Sequence, residues 1–179
     1  MLMHKTANYL EYLLRNASSP SSSSNLWLGI LNIVLSLVVP FNRGHGLKIK
    51  SISNNRIIVI LPYRKKNLNH VRGLHACALA TSAEFATGLL LMKKLSPTNY
   101  RIIMSSMKMN YFYQGKSSAE ACFEIEDSWI EENVVKPLEK EDSCVVNVTA
   151  DVRDSQGEHL CAGIFEWQIK PWNKVRTKV

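Results

Sequence analysis

The chain has no Cys-x-x-Cys pair, no apolar run of membrane-spanning length, and a single carboxylate, Glu11, before Gly73. The four cysteines, Cys77, Cys122, Cys144 and Cys161, stand singly among apolar neighbours. That pattern reads as buried thiols in a reducing compartment, not as a disulfide framework, and the expected location is cytoplasmic. The longest early apolar run, Leu26 to Val39, has fourteen residues. As a helix it reaches about 21 Å, short of the ~30 Å hydrocarbon core, so a membrane span is not expected. The run starts well inside the chain and no Ala-x-Ala-like site follows it, which argues against a cleavable signal peptide. The scarcity of acid is local: Met1 to Arg72 holds ten Lys and Arg against one acid, and Gly73 to Val179 holds twelve against fourteen. A basic front of this kind attracts phosphates, nucleic acid or anionic membrane without choosing among them, and solubility alone is the plain alternative.

What is present suits one globular domain: 179 residues, 46% hydrophobic and 21% charged, enough to bury a real core. Residues 1–45 form an N-terminal helical segment. In it, Leu10, Leu13 and Leu14 recur at helical spacing, a serine-rich linker covers 17–24, and an apolar helix spans 26–39 between a capping Asn25 and Pro40. Gly29, Asn32 and Ser36 give that helix one narrow polar stripe on an otherwise apolar surface. Packing on its own domain or on a dimer mate is the main reading, and an interfacial helix making peripheral membrane contact is the other.

From Gly46 the pattern changes. "LKIKSIS" and "RIIVILPY" are strands joined at Asn54-Asn55. The basic loop "RKKNLNHVRG" leads into the long apolar run Leu74 to Leu95, the best helix candidate in the chain. Four strand-like segments follow, "YRIIMSSMKMNYFY", "SSAEACFEIEDSWI", "SCVVNVTADVRDS" and "EHLCAGIFEWQIK", with "EENVVKPLEKED" between the second and third reading as a short helix. Hairpin connectivity around one helix that is apolar nearly all round predicts an α+β domain, an antiparallel sheet curled about that helix. The tail 171–179 is basic and reads as a surface segment.

That order, with the residues "NHVRGLHACALATSAEFATG", resembles the hotdog fold and its thioesterase-like members over about Gly46 to Lys170, the hotdog domain being 46–170. It is most similar to the family typified by the YiiD C-terminal domain. Thioesterases of the phenylacetate-pathway type carry Asn-Gly-x-x-x-x-His-Gly-Gly before the helix and an acid nine residues after the His. Asn69, His75 and Glu84 match those positions, while His70, Ala76 and Cys77 replace the glycines. The resemblance implies hydrolysis of an acyl-CoA or acyl-carrier-protein thioester, with no cofactor and coenzyme A entering only as part of the substrate. In that reading Glu84 is general base or nucleophile and Asn69 orients the water or thioester. The N–H of Ala76 or Cys77 at the helix N-terminus holds the oxyanion. The implied assembly is a homodimer, open to further pairing into a tetramer, with Asn69 of one subunit facing Glu84 of the other.

The residues themselves leave alternatives open. A carboxylate on an apolar helix has its pKa raised by desolvation and suits general-base work; it also suits a structural acid bonded to Thr81, Thr87 or Arg72. Asn69 equally suits a turn. His75 lies on the opposite side of the helix from Glu84 and reads as a packing or hydrogen-bonding residue. His70 and His75 lack further ligands at metal spacing, so no metal site is expected. Arg64, Lys65, Lys66 and Arg72 are candidates for the phosphates of coenzyme A or phosphopantetheine. "NYFYQGK" is the only basic cluster with interleaved aromatics, and its strand alternation favours sheet packing, so no nucleic acid is expected. Two further functions stay in view. One is a dehydratase using His70, fourteen residues before Glu84 but without the Pro and Gly such loops carry. The other is a non-catalytic module that binds an acyl or CoA ligand, or only dimerises.

Overall fold

Residues 76–95 contain no proline and no β-branched run, and they form one continuous helix. The computed structural model describes residues 2–176; the last three residues of the basic tail, 177–179, lie outside them. The long helix, α4 (Ala76–Leu95), follows three shorter ones, α1 (Leu2–Ala17), α2 (Ser24–Val38) and α3 (Pro40–His45). At its start His75 caps it, the Cys77 N–H donating to His75 Nδ1 at 3.1 Å. At its end Ser96 takes φ +61° ahead of Pro97, whose ring disfavours helical backbone in the residue before it. Glu11 of α1 holds that turn, accepting from the hydroxyls of Ser96 and Thr98.

The six strands are β1 (Lys48–Ile52), β2 (Arg56–Leu61), β3 (Tyr100–Tyr111), β4 (Ala119–Glu124), β5 (Cys144–Asp154) and β6 (His159–Pro171). They make one sheet in the order β1-β2-β4-β5-β6-β3, every pair antiparallel. Strict alternation explains which face turns inward. Along β5, Cys144, Val146, Val148, Ala150 and Val152 are buried while Val145, Asn147, Thr149, Asp151 and Arg153 point out, the period-2 pattern of a half-buried strand. The inner face wraps α4, which packs on β2, β3, β4, β5 and β6. This is the hotdog arrangement, the fold expected from the sequence. The acidic connection is helical over Glu131–Val135 and Lys136–Leu138, and Asp127–Ile130, expected at the end of a strand, is helical as well, β4 stopping at Glu124. The Asn54-Asn55 turn is clamped from outside, Lys94 Nζ donating to Asn55 Oδ1 at 2.6 Å and pairing with Asp127.

Several local expectations are corrected. The serine tract is a tight turn, with Ser24 N–H donating to Ser21 O at 3.1 Å, and it folds α2 back on α1 so that Tyr12 and Trp27 meet edge-on at 5.4 Å. Asn25 does not cap α2, which begins one residue earlier, and Pro40 both stops α2 and opens α3. The four thiols are free but not all buried: Cys77 is exposed and Cys122 partly so. Burial pushes the Cys144 thiol up to about 11 and that of Cys161 to about 12.

The polar stripe of α2 has a defined partner. Asn32 Oδ1 accepts from the Ile49 N–H at 2.7 Å, and its Nδ2 donates to the Ile49 carbonyl at 3.0 Å. Those are the outward-facing backbone groups of edge strand β1, so one side chain stands in for a neighbouring strand. Leu31 and Leu35 bury the adjacent face in the same core as Leu13 and Leu14 of α1. Asn32→Ala is expected to leave both Ile49 groups unpaired and to cost about 2 kcal/mol, measured as a lower midpoint of urea unfolding. No helix among the described residues is long and apolar enough to cross a membrane.

Candidate active site

Glu84 lies in the middle of α4, two turns beyond the cap, where the helix is wrapped by sheet on one side and by the N-terminal helices on the other. It faces a pocket of about 410 Å³ whose walls come from Leu10 of α1, Val38 and Val39, Phe41 and Asn42 of α3, Gly88 and Met92 of α4, Ile102 of β3 and Trp167 of β6. The side chain is half-buried, and desolvation raises its pKa above the ordinary carboxylate value. None of the partners expected for a structural acid bonds the carboxylate. Thr81 Oγ1 donates to the Cys77 carbonyl at 2.7 Å, Thr87 Oγ1 donates to the backbone carbonyl of Glu84 at 2.9 Å, and Arg72 is exposed in the loop. The carboxylate has no hydrogen-bond or ion-pair partner among the described residues. Desolvating a carboxylate without a partner costs folding stability when the group is ionised. Trp167 Nε1, on the pocket wall, is also buried without a partner among the described residues.

Two residues that sequence reasoning missed shape this pocket. Gly88 sits one helical turn after Glu84, and a Cβ there would meet Trp167 Cη2 at 2.7 Å. A glycine inside a helix costs about 1 kcal/mol relative to alanine, and that cost was the available signal of a close approach. Asn67 is fully buried. Its Nδ2 donates to Pro62 O at 2.8 Å and His45 O at 2.9 Å, Oδ1 meets His45 Nδ1 at 3.1 Å, and its carbonyl accepts from the His75 N–H at 2.8 Å. The Asn67 side chain thereby joins the end of β2 to the end of α3, and its backbone carbonyl adds the cap of α4.

The remaining candidates lie in the loop before α4. Asn69 organises that loop, its Oδ1 accepting from Val71 N at 3.1 Å and Gly73 N at 2.9 Å. The turn is tight enough to force Arg72 to φ +60°. Neither Asn69 nor the exposed His70 lines the Glu84 pocket within the chain. His75 takes the capping role, which occupies the Cys77 N–H and leaves Ala76 N–H as the open donor at the helix N-terminus. Tyr111, at the end of β3, donates to the Ala76 carbonyl at 2.9 Å. Phe112 and Tyr113 fall beyond that strand and are exposed. Of the basic candidates, Lys65, Lys66 and Arg72 stand in solvent. Arg64 lies over Gly46 and donates to the Gly44 carbonyl, tying the loop to α3. No group of three metal-ligating side chains occurs among the described residues.

A family model described as a domain of unknown function, DUF4442, matches residues 29–169. No curated protein resembles the chain closely enough to count as a match. Among solved structures, the fold is similar to that of a Pseudomonas aeruginosa protein of unknown function described as a probable thioesterase. The TM-score is 0.73 at 18% identity, covering 80% of this chain and 95% of that one. A thioesterase from Haemophilus influenzae aligns with TM-score 0.62 at 16% identity, over 80% of this chain and 90% of its own. A thioesterase from Staphylococcus aureus aligns with TM-score 0.59 at 15% identity, over 74% and 99% respectively. At these identities the likeness establishes the hotdog fold.

Proposed function

The chain belongs to the DUF4442 family of domains of unknown function, and from that premise we propose that it is a thioesterase hydrolysing an acyl-CoA or acyl-carrier-protein thioester. The observation that carries the reading is Glu84: a half-buried carboxylate, unpartnered, with a raised pKa, in a pocket otherwise almost wholly apolar. An apolar pocket with a few convergent polar groups suits an acyl chain ending at a reactive carbonyl. The raised pKa makes the carboxylate a stronger base than an exposed one, for activating water or attacking the thioester carbon itself. Ala76 N–H, at the positive end of the α4 dipole, is the donor for the oxyanion that forms on the thioester oxygen. It comes from a partner subunit, since within one chain it lies about 12 Å along the helix from Glu84 and outside the pocket. Asn69 enters the reaction through a partner subunit, since within one chain it lies outside the pocket. The long edge strand β3, with Ile103, Met107 and Tyr111 exposed along it, is the element that supports a homodimer. Lys65, Lys66 and Arg72 serve the phosphates of the carrier.

A second reading has its own observations: Cys77 N–H and Asn69 Oδ1, two groups the thioesterase reading would use, are already satisfied. They favour a module that binds an acyl ligand without turning it over. Release of free thiol from acyl-CoAs of graded chain length separates the two. Saturable release that peaks at one chain length is the expected result. Binding of the same panel, seen as thermal stabilisation, with no thiol released would establish the binding module instead.

A further inference from the structure

The helix α2 carries a second feature that the Glu84 pocket does not use. Leu26, Ile33 and Leu37 fall on one side of it and are 65%, 64% and 61% exposed, and Val38 and Phe41 continue the patch at 46% and 68%. At about 100° per residue Leu26, Ile33 and Leu37 lie along one stripe, opposite the Leu31 and Leu35 face that is buried, while Val38 is turned toward the Glu84 pocket. The helix backbone is internally bonded, Asn32 is spent on β1 and Ser36 Oγ donates to the Ile33 carbonyl, so this side offers only apolar surface. Its charge is one-sided. Ile33 shares a groove with Arg43 and Lys48, and the one acid of the first 72 residues, Glu11, is turned away to Ser96 and Thr98.

We propose that this face of α2 and α3 docks on an anionic lipid bilayer, α2 lying in the plane of the interface. Apolar side chains on a short helix that itself carries no carboxylate, rimmed by arginine and lysine, are what such a surface takes: the apolar groups enter the acyl boundary and the cations meet the headgroups. The exposed edge of β3 differs, because its open backbone groups suit another strand. Val38 and Phe41, next to Leu37 in the chain, line the wall of the Glu84 pocket, so docking sets the pocket beside the lipid. The docking itself does not depend on the thioesterase reading.

Co-sedimentation of the full chain with vesicles of phosphatidylcholine containing about one third phosphatidylserine tests it. Binding is expected to the mixed vesicles, not to pure phosphatidylcholine, and to weaken as salt rises. Ile33→Asp/Leu37→Asp is expected to bind about tenfold or more weakly with an unchanged melting temperature, because both side chains are in solvent in the free protein. Arg43→Glu/Lys48→Glu is expected to weaken binding to the mixed vesicles without touching an apolar group. The proposal falls if wild type ignores the anionic vesicles at low salt, or if both double variants bind as well as wild type. It also falls if Ile33→Asp/Leu37→Asp instead splits a larger species in sedimentation velocity while lipid has no effect, which would make the face an interface between copies of the chain.

Discussion

Glu84→Gln is expected to lower thiol release by about 10²- to 10⁴-fold, the range spanned by removal of a positioned general base, and to raise the melting temperature at neutral pH. The two effects have one cause. Desolvation lifts the folded-state pKa of Glu84 above its ordinary 4.5, so ionising it disfavours the folded chain. For an acid raised in this way the folded state holds more protons than the unfolded state between the two pKa values, and stability falls as pH rises through that window. The penalty is complete above the folded-state pKa and absent below 4.5. The stabilising effect of Glu84→Gln is therefore expected at pH 7 and is expected to vanish on acidification below that value. Wild-type kcat/KM should rise with pH to a plateau, its midpoint above the usual carboxylate range, because only the ionised form is a base. A glutamine variant that keeps turnover, or that is less stable at pH 7, would remove Glu84 from the chemistry and make it a structural group.

Asn67→Ala carries the largest expected loss of stability, on the order of 3 kcal/mol, read from the midpoint of guanidinium unfolding. It strips the part-buried carbonyls of Pro62 and His45 of this donor and His45 Nδ1 of its partner. Asn67→Asp should be worse, although it has nearly the same shape. It sets a carboxylate oxygen where an N–H₂ donor stood, facing two carbonyl oxygens at 2.8 and 2.9 Å. The effect reaches the pocket because His45 ends the helix that carries Phe41 and Asn42. A stability loss in Asn67→Asp smaller than in Asn67→Ala would mean that the site accepts water and that the junction is not the clamp described.

Legibility differed between residues with similar surroundings. Glu84 was visible because a charged residue in an apolar helical run is a local conflict, and such conflicts mark function or a missing partner. Asn67 was not, although it stands two residues before Asn69 in "NLN". Both are polar residues in a polar loop, and nothing local says that one is saturated by β2 and α3 while the other organises a turn. His75 was correctly read as a hydrogen-bonding residue at the helix start, since its position relative to Glu84 follows from helical geometry alone. The stripe Gly29, Asn32 and Ser36 was legible as a stripe, but its partner, the free edge of β1, lies seventeen residues on at Ile49. The serine tract was read as a flexible linker from composition, and it is a turn because Leu13, Leu14 and Leu31 on either side bury one another.

The sequence by itself determined the six strands, the long helix and their order, and marked Glu84 as an acid in an apolar helix, because these depend on periodicity and on charge within a segment. Only the tertiary structure decided which polar groups are already satisfied: that Cys77 N–H is taken by His75, that Asn69 Oδ1 is held by its own loop, and that the N-terminal helices wall the pocket and leave one apolar side in solvent. Hydrogen-bond satisfaction and exposure are properties of contacts between segments distant in the chain, so no window of residues contains them.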